Sequence, residues 1–197
     1  MNTKLTNTFP NGITFTKECF VADYSNDQNP AVAKNGVVIS LIPIPEIESF
    51  QIKKLRDDDN VPVFAINFEK HPAFSHSIQC CECCFSPLID KDNGWVMFLE
   101  MKYCKPENAE IYAAEAYHQM RGALDKMLDL DLVDKKRQQI YFVFSVPKST
   151  ASIPFSSFLT TPGSTITIEK TEGIHLLGAN SVIIATPQFL KIPKMRI

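Results

Sequence analysis

Hydrophobic positions along this chain fall mostly into short apolar runs, broken by Pro, Gly, Asn and Asp. Runs of that length, rich in Val, Ile, Phe and Tyr, predict β-strands. They lie at Ile13–Val21, Gly36–Ile42, Val61–Glu69, Ser77–Phe85, Trp95–Tyr103 and Gln139–Ser145. Shorter runs follow at Thr165–Glu169, Ile174–Leu177 and Ser181–Ala185. Between Pro45 and Arg56 the spacing changes, and Ile47, Phe50, Ile52 and Leu55 fit one face of a short amphipathic helix. A longer helix, rich in Ala and Met, is expected to open at Pro106-Glu107 and run to about Leu130. Proline suits a first helical turn, and a glutamate there complements the helix dipole. Asp90-Lys91-Asp92-Asn93-Gly94 has the residues of a hairpin turn. Gln139–Ser145 comes after a helix, so it is expected to pair parallel to the sheet.

These elements predict an α/β protein with a mixed central β-sheet and extra β elements at both ends. Its 197 residues suit a single domain over 1–197, with a core over 45–146 and a β-rich C-terminal extension over 148–197. A hydrophobic fraction of 45% is ample for a core, and 21% charged is ordinary. The net charge of −2 and a pI near 6.1 give no overall basic signature of the kind that drives tight non-specific nucleic-acid binding. The basic clusters Lys53-Lys54-x-Arg56, Lys135-Lys136-Arg137 and Lys191/Lys194/Arg196 read as solvated surface patches. No apolar run approaches the about 18 residues that cross a bilayer, so no membrane partner is expected. The N-terminus lacks a signal peptide's apolar stretch. A cytoplasmic protein is therefore expected, with its six cysteines as thiols.

Four of those cysteines form Cys80-Cys81-Glu82-Cys83-Cys84, which contains overlapping Cys-x-x-Cys pairs. A structural zinc site usually adds a second ligand pair on another segment. Cys19 and Cys104 are isolated, so the cluster reads as small apolar residues in a crowded strand. A zinc module is the weaker alternative.

The run Trp95–Cys104 carries the most informative feature, Glu100-Met101-Lys102. Residues two apart on a strand point to one side, so a carboxylate and an ammonium would enter apolar company together. Burying both is costly unless each is matched by a partner or a metal. Folding the hairpin about residues 91–92 brings Glu82 opposite Glu100 or Lys102. Facing carboxylates repel, and a hard cation between them turns that cost into binding. Mg²⁺ takes oxygen ligands, usually one or two carboxylates with waters and substrate phosphate. Lys102 beside it would orient a water or offset phosphate charge. The plainer reading is a Glu100–Lys102 ion pair at a sheet end, with Glu82 on an edge. Asp90 competes with Glu82 as the upstream acid, but its place in the turn favours Glu82.

An acidic residue, a hairpin, Glu-x-Lys on the next strand, a helix and a further strand together resemble the PD-(D/E)XK nuclease superfamily, the restriction-endonuclease-like fold. The resemblance implies an αβββαβ core over 45–146. It implies a metal-dependent nuclease hydrolysing DNA phosphodiester bonds, in restriction, repair or antiviral defence. Glu82, or failing that Asp90, would join Glu100 in holding Mg²⁺ or Mn²⁺, and Lys102 would act on the attacking water. In many members the following helix carries a glutamine near the metal, and Gln119 in Ala116-Tyr-His-Gln119 matches it; the plainer reading is an exposed helix residue. A Pro-Asp pair before the hairpin is missing, and the upstream acid would be a glutamate. The alternative function is a catalytically silent nuclease-like scaffold. Its C-terminal β-rich region would then complete a homo-oligomer or hold a larger protein partner.

Overall fold

The computed structural model describes residues 3–25, 36–55, 60–74, 80–89, 94–147 and 173–191. Helix α1 (Thr3–Thr8) leads into strands β1 (Ile13–Phe15), β2 (Glu18–Asp23), β3 (Val37–Ser40), β4 (Phe50–Lys54) and β5 (Val63–Asn67). Strands β6 (Cys83–Pro87) and β7 (Gly94–Met101) follow, then helix α2 (Ala109–Asp129) and strand β8 (Gln138–Ser145). The described chain closes with β9 (Ile174–Gly178), β10 (Ser181–Thr186) and β11 (Phe189–Lys191). The strands form two mixed sheets, a six-stranded one in the order β1-β5-β6-β7-β8-β9 and a five-stranded one in the order β11-β10-β4-β2-β3. The class is mixed α/β with few helices.

The six-stranded sheet is covered on both faces, and β7 shows why. All eight of its residues are buried. Val96 and Phe98 point to the layer packed by α1 and α2. Trp95, Met97, Leu99 and Met101 point between the two sheets. A strand covered on both sides reads as a continuous apolar run rather than an alternating one, as Trp-Val-Met-Phe-Leu does. Antiparallel β5-β6-β7 is followed by α2, and β8 then pairs parallel to β7 from Gly94↔Gln138 to Met101↔Ser145. Helix α2 approaches closely through Ala109, Ala113, Ala116, Met120, Ala123, Leu124 and Met127, one stripe at helical spacing. It stops at Asp131, whose φ of 53° is the left-handed conformation of a helix C-terminus, and Leu132 N–H then donates to Met127 O at 2.9 Å.

Pro45–Arg56 does not supply the expected helix. Phe50, Ile52 and Lys54 are buried while Gln51 and Lys53 are not, a period of two that the helical reading overlooks. Strand β4 forms because β2 and β10 flank it, antiparallel and parallel. Tertiary pairing overrides a weak local signal. The helix expected to open an αβββαβ core is therefore a strand of the second sheet, and the layer opposite α2 is a sheet. Lys54 also departs from the surface-patch reading, since it is buried and its Nζ donates to Val61 O at 2.9 Å. The single strand expected over Ile13–Val21 divides into β1 and β2, one in each sheet. Thr165–Glu169 and the turn at Asp90–Asn93 lie outside the described residues. Among the described residues no helix is long and apolar enough to cross a membrane.

The C-terminal strands are built into both sheets rather than appended. Strand β9 extends the first sheet, and β10 and β11 complete the second. Asn180, between β9 and β10, is the clamp. Its Oδ1 accepts from Ser145 Oγ at 2.7 Å and from Val146 N–H at 2.9 Å, and its Nδ2 donates to Val146 O at 2.9 Å. Replacing it strands buried donors and acceptors at the end of β8. Asn180→Ala should cost roughly 2–4 kcal/mol, read as a lower urea midpoint at unchanged slope; a loss below about 0.5 kcal/mol would show that the clamp carries nothing.

Candidate functional site

The site lies where β7 ends. Glu100 is the seventh residue of that eight-residue strand and faces the helix layer, by alternation with Val96 and Phe98. Its Oε1 lies 2.9 Å from Lys102 Nζ, just past the strand. Lys102 is held by its backbone, whose N–H donates to Ser145 O at 2.9 Å. Glu82 sits at the bend before β6. The register Cys83↔Leu99 brings it across from Glu100, and its Oε2 accepts from Met101 N–H at 3.0 Å. The two glutamates are thus brought together, as the hairpin arithmetic anticipates.

Both carboxyls are out of water. Glu100 is only 2% exposed and Glu82 8%. Burial pushes the Glu100 carboxyl up to about 7, against the opposing pull of the Lys102 ammonium. Burial also drives Glu82 well above the ordinary carboxylate range, and the neighbouring charges of Glu100 and then Asp23 add to that push. Burial works against the Lys102 charge, but the Glu100 partner outweighs it and the ammonium is held above its usual value. Glu100 Oε2 is buried with no hydrogen-bond partner, and so is Gln119 Oε1.

Gln119 is on α2 beside this region. Its backbone carbonyl accepts from Cys81 N–H at 3.1 Å, and Cys81 in turn feels the charge of Glu100. The residue is half-buried rather than exposed. Asp90 lies outside the described residues. Asp23, at the end of β2, is the residue that sequence reasoning missed. It is buried, belongs to the other sheet, and its charge acts on both Glu82 and Glu100. The only signal for it is an acid closing the apolar run Cys19–Ala22.

The cysteines around Glu82 divide between layers. Cys81 and Cys84 face the helices, and Cys83 lies between the sheets. Burial pushes the Cys80 thiol up to about 11 and Cys81 and Cys83 well above the thiol range. Burial therefore favours the neutral thiol over the thiolate at these positions.

Among the described residues no group of three or more His, Cys, Asp or Glu is arranged to hold a metal directly. The donor set that remains is a pair of carboxylates, one with a vacant buried oxygen. An ion held by so few protein oxygens would have to be one that accepts water as its other ligands, as Mg²⁺ does. No family model matches the chain, and no curated protein or solved structure matches it.

The charge of this pair sets a pH dependence. Between about 4.5 and about 7 the folded chain holds a proton on Glu100 that the unfolded chain has released. More protons bound in the folded state means stability falls as pH rises through that window. Glu82→Gln keeps an acceptor for Met101 N–H and removes the repulsion. It should raise Tm at pH 8, by the equivalent of roughly 1–3 kcal/mol, with the gain vanishing near pH 4. Thermal unfolding of both proteins from pH 4 to 8 checks this, and a variant less stable than wild type at pH 8 contradicts it.

Proposed function

We propose that this chain is a metal-dependent phosphodiesterase acting on DNA, with Glu82 and Glu100 as the metal-holding pair and Lys102 as the charge beside them. The observation that carries the reading is the pairing of two buried carboxylates across β6 and β7, with Glu100 Oε2 unpartnered and Lys102 Nζ at 2.9 Å from Oε1. An upstream acid, a hairpin, Glu-x-Lys, a helix and a parallel strand also occur in the order that PD-(D/E)XK nucleases use, although a strand replaces the leading helix.

A bound Mg²⁺ or Mn²⁺ would supply Lewis acidity to a phosphoryl oxygen and ease deprotonation of water. The protein's part is positioning. Glu82 is fixed by the Met101 N–H and Glu100 by its strand. The Lys102 side chain is 20% exposed, which makes it the member a phosphate reaches first. There its ammonium can orient the attacking water and offset the charge that develops as the phosphorus–oxygen bond breaks. Gln119 Oε1 offers a further acceptor for an ordered water.

A second reading, a catalytically silent nuclease-like scaffold, is favoured by one observation. Glu100 is almost fully covered and already paired with Lys102, and the Glu115 charge acts on that lysine from the exposed side of α2. A negative rim opposes a phosphate.

Cleavage assays separate the two. The purified protein should cut plasmid or single-stranded DNA with Mg²⁺ or Mn²⁺ and stop with chelator. Lys102→Ala should lower the rate by about 10²–10³-fold or more with an unchanged circular dichroism spectrum. Absence of cutting with either ion, together with no thermal stabilisation by them, overturns the nuclease reading and favours the silent scaffold.

A further inference from the structure

Lys102 stands one residue past the last rung of β7, where the ladder to β8 ends at Met101↔Ser145. What holds the chain there decides where its side chain starts. Its N–H donates to Ser145 O at 2.9 Å. Ser145 is the last residue of β8 and fully buried, and its Oγ donates to Asn180 Oδ1 at 2.7 Å. Asn180 grips the next residue twice, accepting from Val146 N–H and donating to Val146 O, both at 2.9 Å. Its backbone joins the other sheet, since Asn180 O accepts from Gln51 N–H of β4 at 3.3 Å. A continuous path of hydrogen bonds and backbone thus runs from β4 through Asn180 and Ser145 to the lysine. It ends at Lys102 Nζ, 2.9 Å from Glu100 Oε1. Ser145 Oγ, Asn180 Oδ1 and Asn180 Nδ2 are all matched and out of water, which narrows the geometry they allow.

We propose that Asn180, acting through Ser145, is a positioning residue for Lys102. The inference rests on the reading that Lys102 is the cation a phosphate meets at the Glu82/Glu100 site. A lysine stem is flexible, so its ammonium keeps one place only if its backbone is fixed and a partner holds its tip. Glu100 holds the tip, and the buried strand β7 holds Glu100. The Ser145 carbonyl holds the backbone, and Asn180 is the side chain that fixes the end of β8 carrying that carbonyl. Tyr103 is anchored separately. Its Oη donates to Glu48 O at 2.7 Å and accepts from Asp23 N–H at 3.3 Å. With Asn180 removed, the segment pivots about the Tyr103 anchor and carries Lys102 with it. A displacement of about 1 Å at a reacting charge costs up to about 100-fold in rate.

Acetylation of the full chain without nucleic acid or metal ion, read lysine by lysine by mass spectrometry, tests this apart from cleavage. In Asn180→Ala, Lys102 should react about twofold to fivefold faster than in wild type, the size expected from losing a partly exposed ion pair. Lys54 is buried, with its Nζ donating to Val61 O, and its rate should not change. Ser145→Ala removes only the Oγ contact. It should move Lys102 in the same direction by a smaller factor, and it carries the test if Asn180→Ala does not fold. In the cleavage assay Asn180→Ala should lower kcat about 10–100-fold with KM within about threefold. Lys102 and Lys54 accelerating together, or Lys102 unchanged in the folded variants, overturns the inference whatever the cleavage result. The asparagine would then act on global stability alone, or not on the lysine at all. A wild type that cuts no DNA, while Lys102 alone accelerates in the variants, overturns the nuclease reading and leaves the positioning of Lys102 standing.

Discussion

The constraint on which the structure turns is that β7 is covered on both faces. Eight consecutive residues lie out of water between the helix layer and the second sheet. The hydrophobic gain from such a strand is large, and it fixes the register of both neighbours. Glu100 rides on that strand into an environment where a lone carboxylate would be very costly. Its unusual chemistry follows from its place on the covered helix-side face of that strand, next to Phe98, rather than from any local flexibility.

The polar groups at the end of β7 are then organised by charge. The Glu100–Lys102 pair at 2.9 Å offsets one negative charge. Glu82 takes the Met101 N–H, a backbone donor. What remains is a surplus of acid in a dry place, held in part by protons, as the Glu100 value of about 7 indicates. The same surplus lowers stability at neutral pH, and in the nuclease reading proposed above a divalent cation would offset it. Asn180 and Tyr103 act at the periphery. One secures the end of β8 to the chain entering β10, and the other secures the segment after β7 to β2 and Glu48.

Elements with an unambiguous local signature are legible in the sequence. The strands expected at Trp95–Tyr103 and Gln139–Ser145 and the helix with alanines on one stripe carry such patterns, and the structure has β7, β8 and α2 there. Phe50–Lys54 misleads because so short a segment cannot distinguish a period of two from one of about 3.6. Its true partners, β2 and β10, lie far from it along the chain, on either side. Ile13–Val21 reads as one strand because its apolar content does not mark the point at Thr16–Lys17, between Phe15 and Glu18, where the chain changes sheets.

The candidate site divides along the same line. Glu82, Glu100 and Lys102 come from adjacent strands joined by a short link, so spacing along the chain brings them together, and period-two alternation places Glu100 and Lys102 on one side. Asp23 has no such link. Its charge acts on the two glutamates only because two sheets stack, and stacking depends on how whole faces such as Cys19, Val21, Phe50 and Ile52 fit against Phe85, Trp95 and Met97. Contacts between neighbours in sequence follow from backbone geometry; contacts between layers follow from the sum of many side-chain volumes, which no local stretch of residues contains.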